Sequence, residues 1–307
     1  MENIKKTVLM VHNFYQIGGG EHTVFNNEVE LLRKNGHKVI TYTRDNKELK
    51  ISMIKKVLLP FSTIWSFKTY RDIKKIIKKE NIDIVHCHNT FPLISPSVYY
   101  AAKKMNVPVV QTIHNFRLIC PNGLLYRDNK ICEDCIKNKN FKSALKNNCY
   151  RKSKIQTLVV VNMLKFHRLI GTYNKINYIF LTLFNKDKFK TLVNINGDNI
   201  FVKPNFVVQN NNYKRGKIKD IFVFAARLDD SKGIKFLINV WNEIEDFELH
   251  IYGDGPYREY VENAVKGNKN IKFYGFKSQK EIFMDLIKSQ GLLMTSQCYE
   301  GFPMNIA

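Results

Sequence analysis

Arg227 and, five residues on, Lys232-Gly233 stand where an apolar run, 221–225, ends and a helical pattern begins. An arginine fork and a lysine point charge beside the amides of a helix start suit a diphosphate, and the glycine lets backbone come close. Glu300 follows another predicted strand, on a loop that turns into a helix at Gly301-Phe302-Pro303. A carboxylate there accepts hydrogen bonds from sugar hydroxyls, and the amides after it offer donors to phosphate; the plainer alternative is a first-turn glutamate favoured by the helix dipole. Gly18-Gly19-Gly20-Glu21-His22 makes a second glycine turn into a helix, another anion cradle, without the spacing of a dinucleotide fingerprint or a P-loop. His114, at the tip of the apolar run 107–113, is placed either to hydrogen-bond a substrate or to serve as a structural hydrogen-bonder. His86 and His88 flank Cys87 in an extended segment, pointing alternately to opposite sides, so a shared metal is not expected.

These residues need strands to present them. Thr7 to Val11 reads as a buried strand, and Val24, Phe25, Val29 and Leu32 then recur at helical spacing up to the stop Asn35-Gly36. A second strand follows over 38–43, giving a β-α-β unit, which calls for a parallel sheet covered by helices. The pattern recurs with a strand over 82–86, a helix over 95–105 and a strand over 107–113. After Lys203-Pro204-Asn205 a polar stretch, 209–219, reads as a connection. The alternation then restarts: strand 221–225, helix 233–244, strand 247–252, turn Gly253-Asp254-Gly255-Pro256, strand 271–274, helix 279–288 and strand 292–295. The expected fold class is therefore α/β, with two doubly wound Rossmann-like domains facing across a cleft. The first spans 1–200, the connection 201–219, and the second 220–307. A doubly wound sheet usually needs five or six strands, so the second domain is expected to be incomplete and the chain truncated.

Composition narrows the classes further. At 307 residues and 44% hydrophobic content the chain is globular, and no apolar run approaches the roughly 20 residues of a bilayer span. Met1-Glu2-Asn3-Ile4-Lys5-Lys6 precedes only a short apolar run, too short for a signal segment, so a cytoplasmic location is expected. The net charge of +22 favours an anionic partner. Lys68, Arg71, Lys74, Lys75, Lys78 and Lys79 on a helical pattern, and the run Arg151, Lys152 and Lys154, suit peripheral contact with anionic lipid at the inner face of the cell membrane, or a solvated helix face. The segment 115–153 carries Cys120, Cys132, Cys135 and Cys149, spaced C-x11-C-x2-C-x13-C. That spacing suits tetrahedral zinc, with free thiols or disulfides as the alternatives, the last disfavoured by a cytosolic setting. Cys87 and Cys298 read as small hydrophobes.

Gly18-Gly19-Gly20-Glu21, Val85-His86-Cys87-His88-Asn89, Thr112-Ile113-His114-Asn115 and Lys203-Pro204-Asn205 recur in the family's order with four later segments. Those are Ala226-Arg227 through Lys232-Gly233, Tyr252-Gly253-Asp254-Gly255-Pro256, Phe273-Tyr274-Gly275-Phe276 and Glu300-Gly301-Phe302-Pro303. In these segments the chain resembles the family 4 glycosyltransferases, enzymes of the GT-B fold. The resemblance implies transfer of a hexosyl unit from a nucleotide-diphosphate sugar, with retained configuration, to a saccharide or lipid-linked acceptor in surface polysaccharide or glycoconjugate synthesis. It implies that Arg227 and Lys232 neutralise the diphosphate leaving group, with no cofactor for catalysis. Glu300 would hold donor sugar hydroxyls, the amides of Gly301 and Phe302 the distal phosphate, and backbone near Gly275 and Phe276 the base. Gly19 and Gly20 would reach the diphosphate, and Gly19, Glu21 and His114 the acceptor. The family pairs this glutamate with a second one that falls at position 308, past Ala307, so this chain as given is expected to bind nucleotide poorly and turn over little. Two other classes compete: a non-catalytic sugar-nucleotide binder, and a basic zinc-knuckle nucleic-acid binder. Against the latter, no strand surface interleaves aromatic and basic residues, so nucleic acid is not an expected partner. Nucleotide, sugar, acceptor and linkage stay open.

Overall fold

A strand covered on both faces has no side for water, and Leu9, Met10 and Val11 are accordingly 0% exposed, each such side chain stabilising the fold by about 1.5–3 kcal/mol. In the computed structural model, which describes residues 4–16, 19–51, 53–195, 197–207 and 217–305, the chain divides into two units. The first comprises Met1–Leu124, Glu133–Val208 and Gly301–Ala307; the second comprises Leu125–Cys132 and Gln209–Glu300.

The first unit runs β1 (Thr7–Phe14), α1 (Gly20–Lys34), β2 (Lys38–Asp45), α2 (Glu48–Ile51), α3 (Met53–Ile64), α4 (Phe67–Glu80), β3 (Ile84–Asn89), α5 (Ser97–Lys104) and β4 (Val109–Ile113). A two-stranded hairpin of the second unit, β5 (Tyr126–Arg127) and β6 (Lys130–Ile131), interrupts the order. The first unit resumes with α6 (Asp134–Lys137), α7 (Lys142–Lys146), α8 (Lys154–Leu169), β7 (Asn177–Phe180), α9 (Leu183–Lys188) and β8 (Ile200–Val202). Its sheet has the order β2-β1-β3-β4-β7-β8, parallel throughout. The chain moves to one side of β1 for β2 and to the other for β3, so the carboxyl ends of β1 and β3 flank a switch point, where such sheets take ligands. The basic run expected on a helix is α4, capped at its start by the Ser66 side chain and ended by Asn81 at φ 50°, with Ile73 and Ile77 buried.

In the second unit β9 (Ile221–Ala225), α10 (Ile234–Trp241), β10 (Glu248–Tyr252), α11 (Arg258–Gly267), β11 (Ile271–Gly275), α12 (Gln279–Leu286) and β12 (Gly291–Leu292) form a parallel sheet of order β11-β10-β9-β12. Phe224, Leu237, Ile238, Trp241, Leu249, Ile251, Val261 and Ile271 make its core.

The expected boundaries shift for physical reasons. β8 pairs with β7, so the first unit extends past residue 200, and 208–216 of the expected connection lie outside the described residues. The last strand pairs only over Gly291–Leu292, not 292–295, because Thr295 turns its hydroxyl onto the carbonyl of Lys232.

Candidate active site

At the carboxyl end of β9 the chain turns through Ala226, Arg227, Leu228 and Asp229. Leu228 is fully buried, its amide bonded to the Asp254 carbonyl (3.0 Å) and its own carbonyl accepting from the Tyr257 amide (3.0 Å). The turn after β10 thus braces the loop that carries Arg227. Its glycine is obligatory: at Gly253, φ +141°, a Cβ would stand 1.9 Å from the Ala226 carbonyl oxygen.

Asp229 accepts from the Ser231 amide (2.9 Å) and hydroxyl (2.6 Å), capping the turn over 230–232, and it also pairs with the Arg227 guanidinium. Lys232 closes that turn, and its Nζ donates to Glu300 Oε1 at 2.6 Å. Ser296 Oγ donates to the same oxygen at 2.5 Å. Lys232, Thr295, Ser296 and Glu300 are therefore gathered by hydrogen bonds, Thr295 Oγ1 donating to the Lys232 carbonyl at 2.8 Å. Gly233, expected to admit a ligand's close approach, instead admits Thr295: at φ +70° its Cβ would lie 2.2 Å from the Thr295 carbonyl oxygen. Arg227 remains 56% exposed, against 26% for Lys232. Each cation is oriented by one carboxylate, which leaves its other N–H donors for an anion. Gly275 ends β11 at φ +69°, with nothing near where its Cβ would be, and Phe276 beyond it is exposed.

The first unit gathers its own set of candidates. Gly18 lies outside the described residues. Gly19 caps α1 in extended conformation, and Gly20 opens the helix, with Met304 lying where its side chain would be. Glu21 Oε2 accepts from Asn115 Nδ2 (3.4 Å), and burial raises its carboxyl to about 7 against the opposing pull of Arg117. His114 follows β4, with its Nε2 2.9 Å from His88 Nδ1 and its Nδ1 buried without a hydrogen-bond partner. Burial and the neighbouring His88 hold its pKa well below the ordinary value, so the ring is neutral. Gly301 and Phe302, expected beside the distal phosphate, are gathered into the first unit. A Cβ on Gly301 would lie 3.5 Å from the His114 carbonyl oxygen, and the Phe302 carbonyl accepts from Asn205 Nδ2 at 2.7 Å.

One expectation needs correction. His86 and His88 do not point to opposite sides: residues two apart on a strand share a face. Their rings lie 4.6 Å apart and both turn to Glu28, at 3.7 Å (His86 Nδ1) and 3.1 Å (His88 Nε2). Among the described residues, Glu28, His86 and His88 form the one group of three or more histidines, cysteines and acids whose donor atoms all lie within 4.8 Å. The four cysteines, expected to suit zinc, are thiols. Cys135 and Cys149 pack with Phe91, Phe141 and Val160 in an apolar cluster, Cys120 donates to Asn122 Oδ1 (2.9 Å), and Cys132 belongs to the second unit. None of the six cysteines is in a disulfide.

Sequence reasoning missed Glu28, Asp229 and Ser296. Glu28 left a trace: an acid between Phe25 and Val29 on the apolar stripe of α1, where solvent-facing charge does not belong.

The family model for Glycosyltransferase Family 4 matches residues 17–147, and that for Glycosyl transferases group 1 matches residues 208–307. This chain is a glycosyltransferase. The transferase is 26% identical over 303 residues to an uncharacterized glycosyltransferase of Methanocaldococcus jannaschii, covering 97% of this chain and 74% of that protein. It is 24% identical over 302 residues, covering 95% and 75%, to an uncharacterized 41.2 kDa protein in the cps region of Klebsiella pneumoniae. Among solved structures it resembles Anabaena HepE in complex with UDP-glucose (TM-score 0.55, 12% identity, 98% of this chain and 77% of that one). It also resembles the lipopolysaccharide outer core galactosyltransferase WaaB (TM-score 0.53, 17% identity, 98% and 76%). The transferase thus has the GT-B fold that its two parallel sheets suggest.

Proposed function

We propose that the protein transfers a hexosyl unit, with retained configuration, from a nucleoside diphosphate sugar to a saccharide or lipid-linked acceptor in surface polysaccharide synthesis. The observation that carries this reading is the Lys232–Glu300 contact at the carboxyl end of the second sheet, with Arg227 on the adjoining turn. The likeness to a structure holding UDP-glucose and to a protein of a cps region supports the donor class and the pathway. The acceptor oxygen bonds to the anomeric carbon as the bond from that carbon to the phosphate oxygen breaks, and the acceptor proton passes to the departing phosphate. Arg227 and Lys232 neutralise the negative charge that grows there. Glu300 aligns donor hydroxyls, while Gly275 and Phe276 offer an open edge for the base. Glu21 and His114 are the first unit's contacts for the acceptor. A panel of UDP-, GDP- and ADP-hexoses, read by nucleoside diphosphate release and by NMR of the product's anomeric carbon, tests this. One nucleotide should support turnover with retention; inversion, or no release from any donor with a supplied acceptor mixture, would contradict it.

A membrane-borne acceptor is supported by the surface of α3 and α4. Val57, Leu58 and Phe61 are 71%, 54% and 73% exposed, and α4 adds Lys74, Lys75, Lys78 and Lys79. No helix among the described residues is long and apolar enough to cross a membrane. We expect cosedimentation with phosphatidylglycerol vesicles but not with phosphatidylcholine vesicles. At about 1 kcal/mol per basic residue, changing those four lysines to serine should weaken binding on the order of a hundredfold or more. Equal binding to both vesicle types would contradict it.

A further inference from the structure

His114 lies at the end of a chain of buried groups that the transfer reaction, as described above, does not use. Its Nε2 is 2.9 Å from His88 Nδ1. The other nitrogen of His88, Nε2, is 3.1 Å from Glu28 Oε2, and the remaining oxygen of Glu28, Oε1, is bonded to the Lys203 ammonium. His88 and Glu28 are 0% and 6% exposed, so water does not compete for these contacts. Burial pushes the Glu28 carboxyl up, but His88, His86 and Lys203 outweigh it and hold the group below the ordinary carboxylate range.

A neutral imidazole has one N–H and one lone pair, so each link decides the next. The Glu28 carboxylate faces His88 Nε2 at 3.1 Å without completing a hydrogen bond to it, and its negative charge favours the His88 proton on that nitrogen, which leaves a lone pair at Nδ1. His114 must then donate from Nε2. Its Nδ1 keeps the lone pair, and that nitrogen, like His88 Nε2, is buried without a hydrogen-bond partner among the described residues.

We propose that Glu28, anchored by Lys203 and acting through His88, is a positioning residue that locks His114 in the Nε2–H tautomer, so that His114 Nδ1 accepts a hydrogen bond from a substrate hydroxyl. The hydroxyl role rests on the transferase site described above; the tautomer lock stands on the geometry of the first unit. A metal held by Glu28, His86 and His88 is the competing use of the same atoms. It would need lone pairs on His88 Nε2 and His86 Nδ1, would put the proton of His88 on Nδ1, and would invert His114. The Lys203 ammonium on Glu28 opposes a cation there.

The test is two-bond nitrogen–proton NMR on the full chain with labelled histidine, together with kinetics of Glu28→Gln. In the parent, His114 should be protonated on Nε2 and bare on Nδ1. In E28Q, Lys203 takes the amide oxygen, the amide NH2 faces His88 Nε2, and both histidines should invert. kcat should then fall roughly a hundredfold with the donor KM unchanged, in line with the loss of a correctly protonated catalytic contact. Glu28→Asp, which keeps a carboxylate, should retain both the parent tautomer and most of kcat. A parent His114 protonated on Nδ1, a stoichiometric metal that E28Q loses, or inversion without loss of kcat would overturn the proposal. Because the spectra need no turnover, a chain that transfers nothing would refute the transferase site while still reporting on the lock.

Discussion

Lys232→Ala should lower kcat for sugar transfer by about a hundred- to a thousandfold, and Arg227→Ala by a comparable factor, as expected for removing a preorganised group that meets developing charge. Folding should be nearly unaffected. Lys232 and Glu300 are each 26% exposed, and a pair so wetted contributes about 1 kcal/mol or less. The two effects therefore separate: a large loss of rate with a small loss of melting temperature. Glu300→Gln keeps the Ser296 hydrogen bond but removes the charge that orients Lys232, and should fall between the single variant and the parent. Steady-state kinetics beside thermal melts read both quantities. A rate within threefold of the parent for Lys232→Ala would remove the lysine from the reaction.

Gly233→Ala should be strongly damaging to both stability and activity. The added carbon would sit 2.2 Å from the Thr295 carbonyl oxygen, which is main chain and has no rotamer to retreat into. The left-handed φ of +70° adds to the cost, for a combined destabilisation of roughly 3 kcal/mol or more. The only relief is to push residues 295–296 away, which also moves Ser296 off Glu300. The variant should thus melt earlier and lose activity in the surviving folded fraction. Gly19→Ala is the control: nothing lies within 4 Å of where its Cβ would be, and its backbone is extended. A Gly233→Ala protein as stable as Gly19→Ala would show that Thr295 does not approach as described.

The alternation of strands and helices was legible wherever hydropathy alone decides burial. The runs over 7–11, 107–113, 221–225 and 271–274 all became strands of parallel sheets. It misjudged extent at the carboxyl ends. β1 continues to Phe14 and β3 to Asn89, because the polar residues His12, Asn13, His88 and Asn89 are buried by partners distant in sequence. Those same ends hold the candidate site of the first unit, so the pattern faded where function begins. Arg227, Lys232 and Glu300 were readable from residue type and position relative to strands. What orients them was not: Asp229 and Ser296 act through short-range hydrogen bonds that hydropathy does not mark, and the Lys232–Glu300 contact, 68 residues apart, closes only once β9 and β12 lie side by side. Glu28 was hidden by its neighbours in sequence and explained only by His86, His88 and Lys203.

The central claim is that Arg227 and Lys232 hold the diphosphate of the donor. Calorimetric titration of the matching nucleoside diphosphate and of the bare nucleoside, into the parent and into an Arg227→Ala/Lys232→Ala double variant, tests it most directly. The parent should favour the diphosphate, and the double variant should lose about 2–4 kcal/mol of that preference while binding the nucleoside unchanged. A diphosphate preference that survives both substitutions would contradict the account.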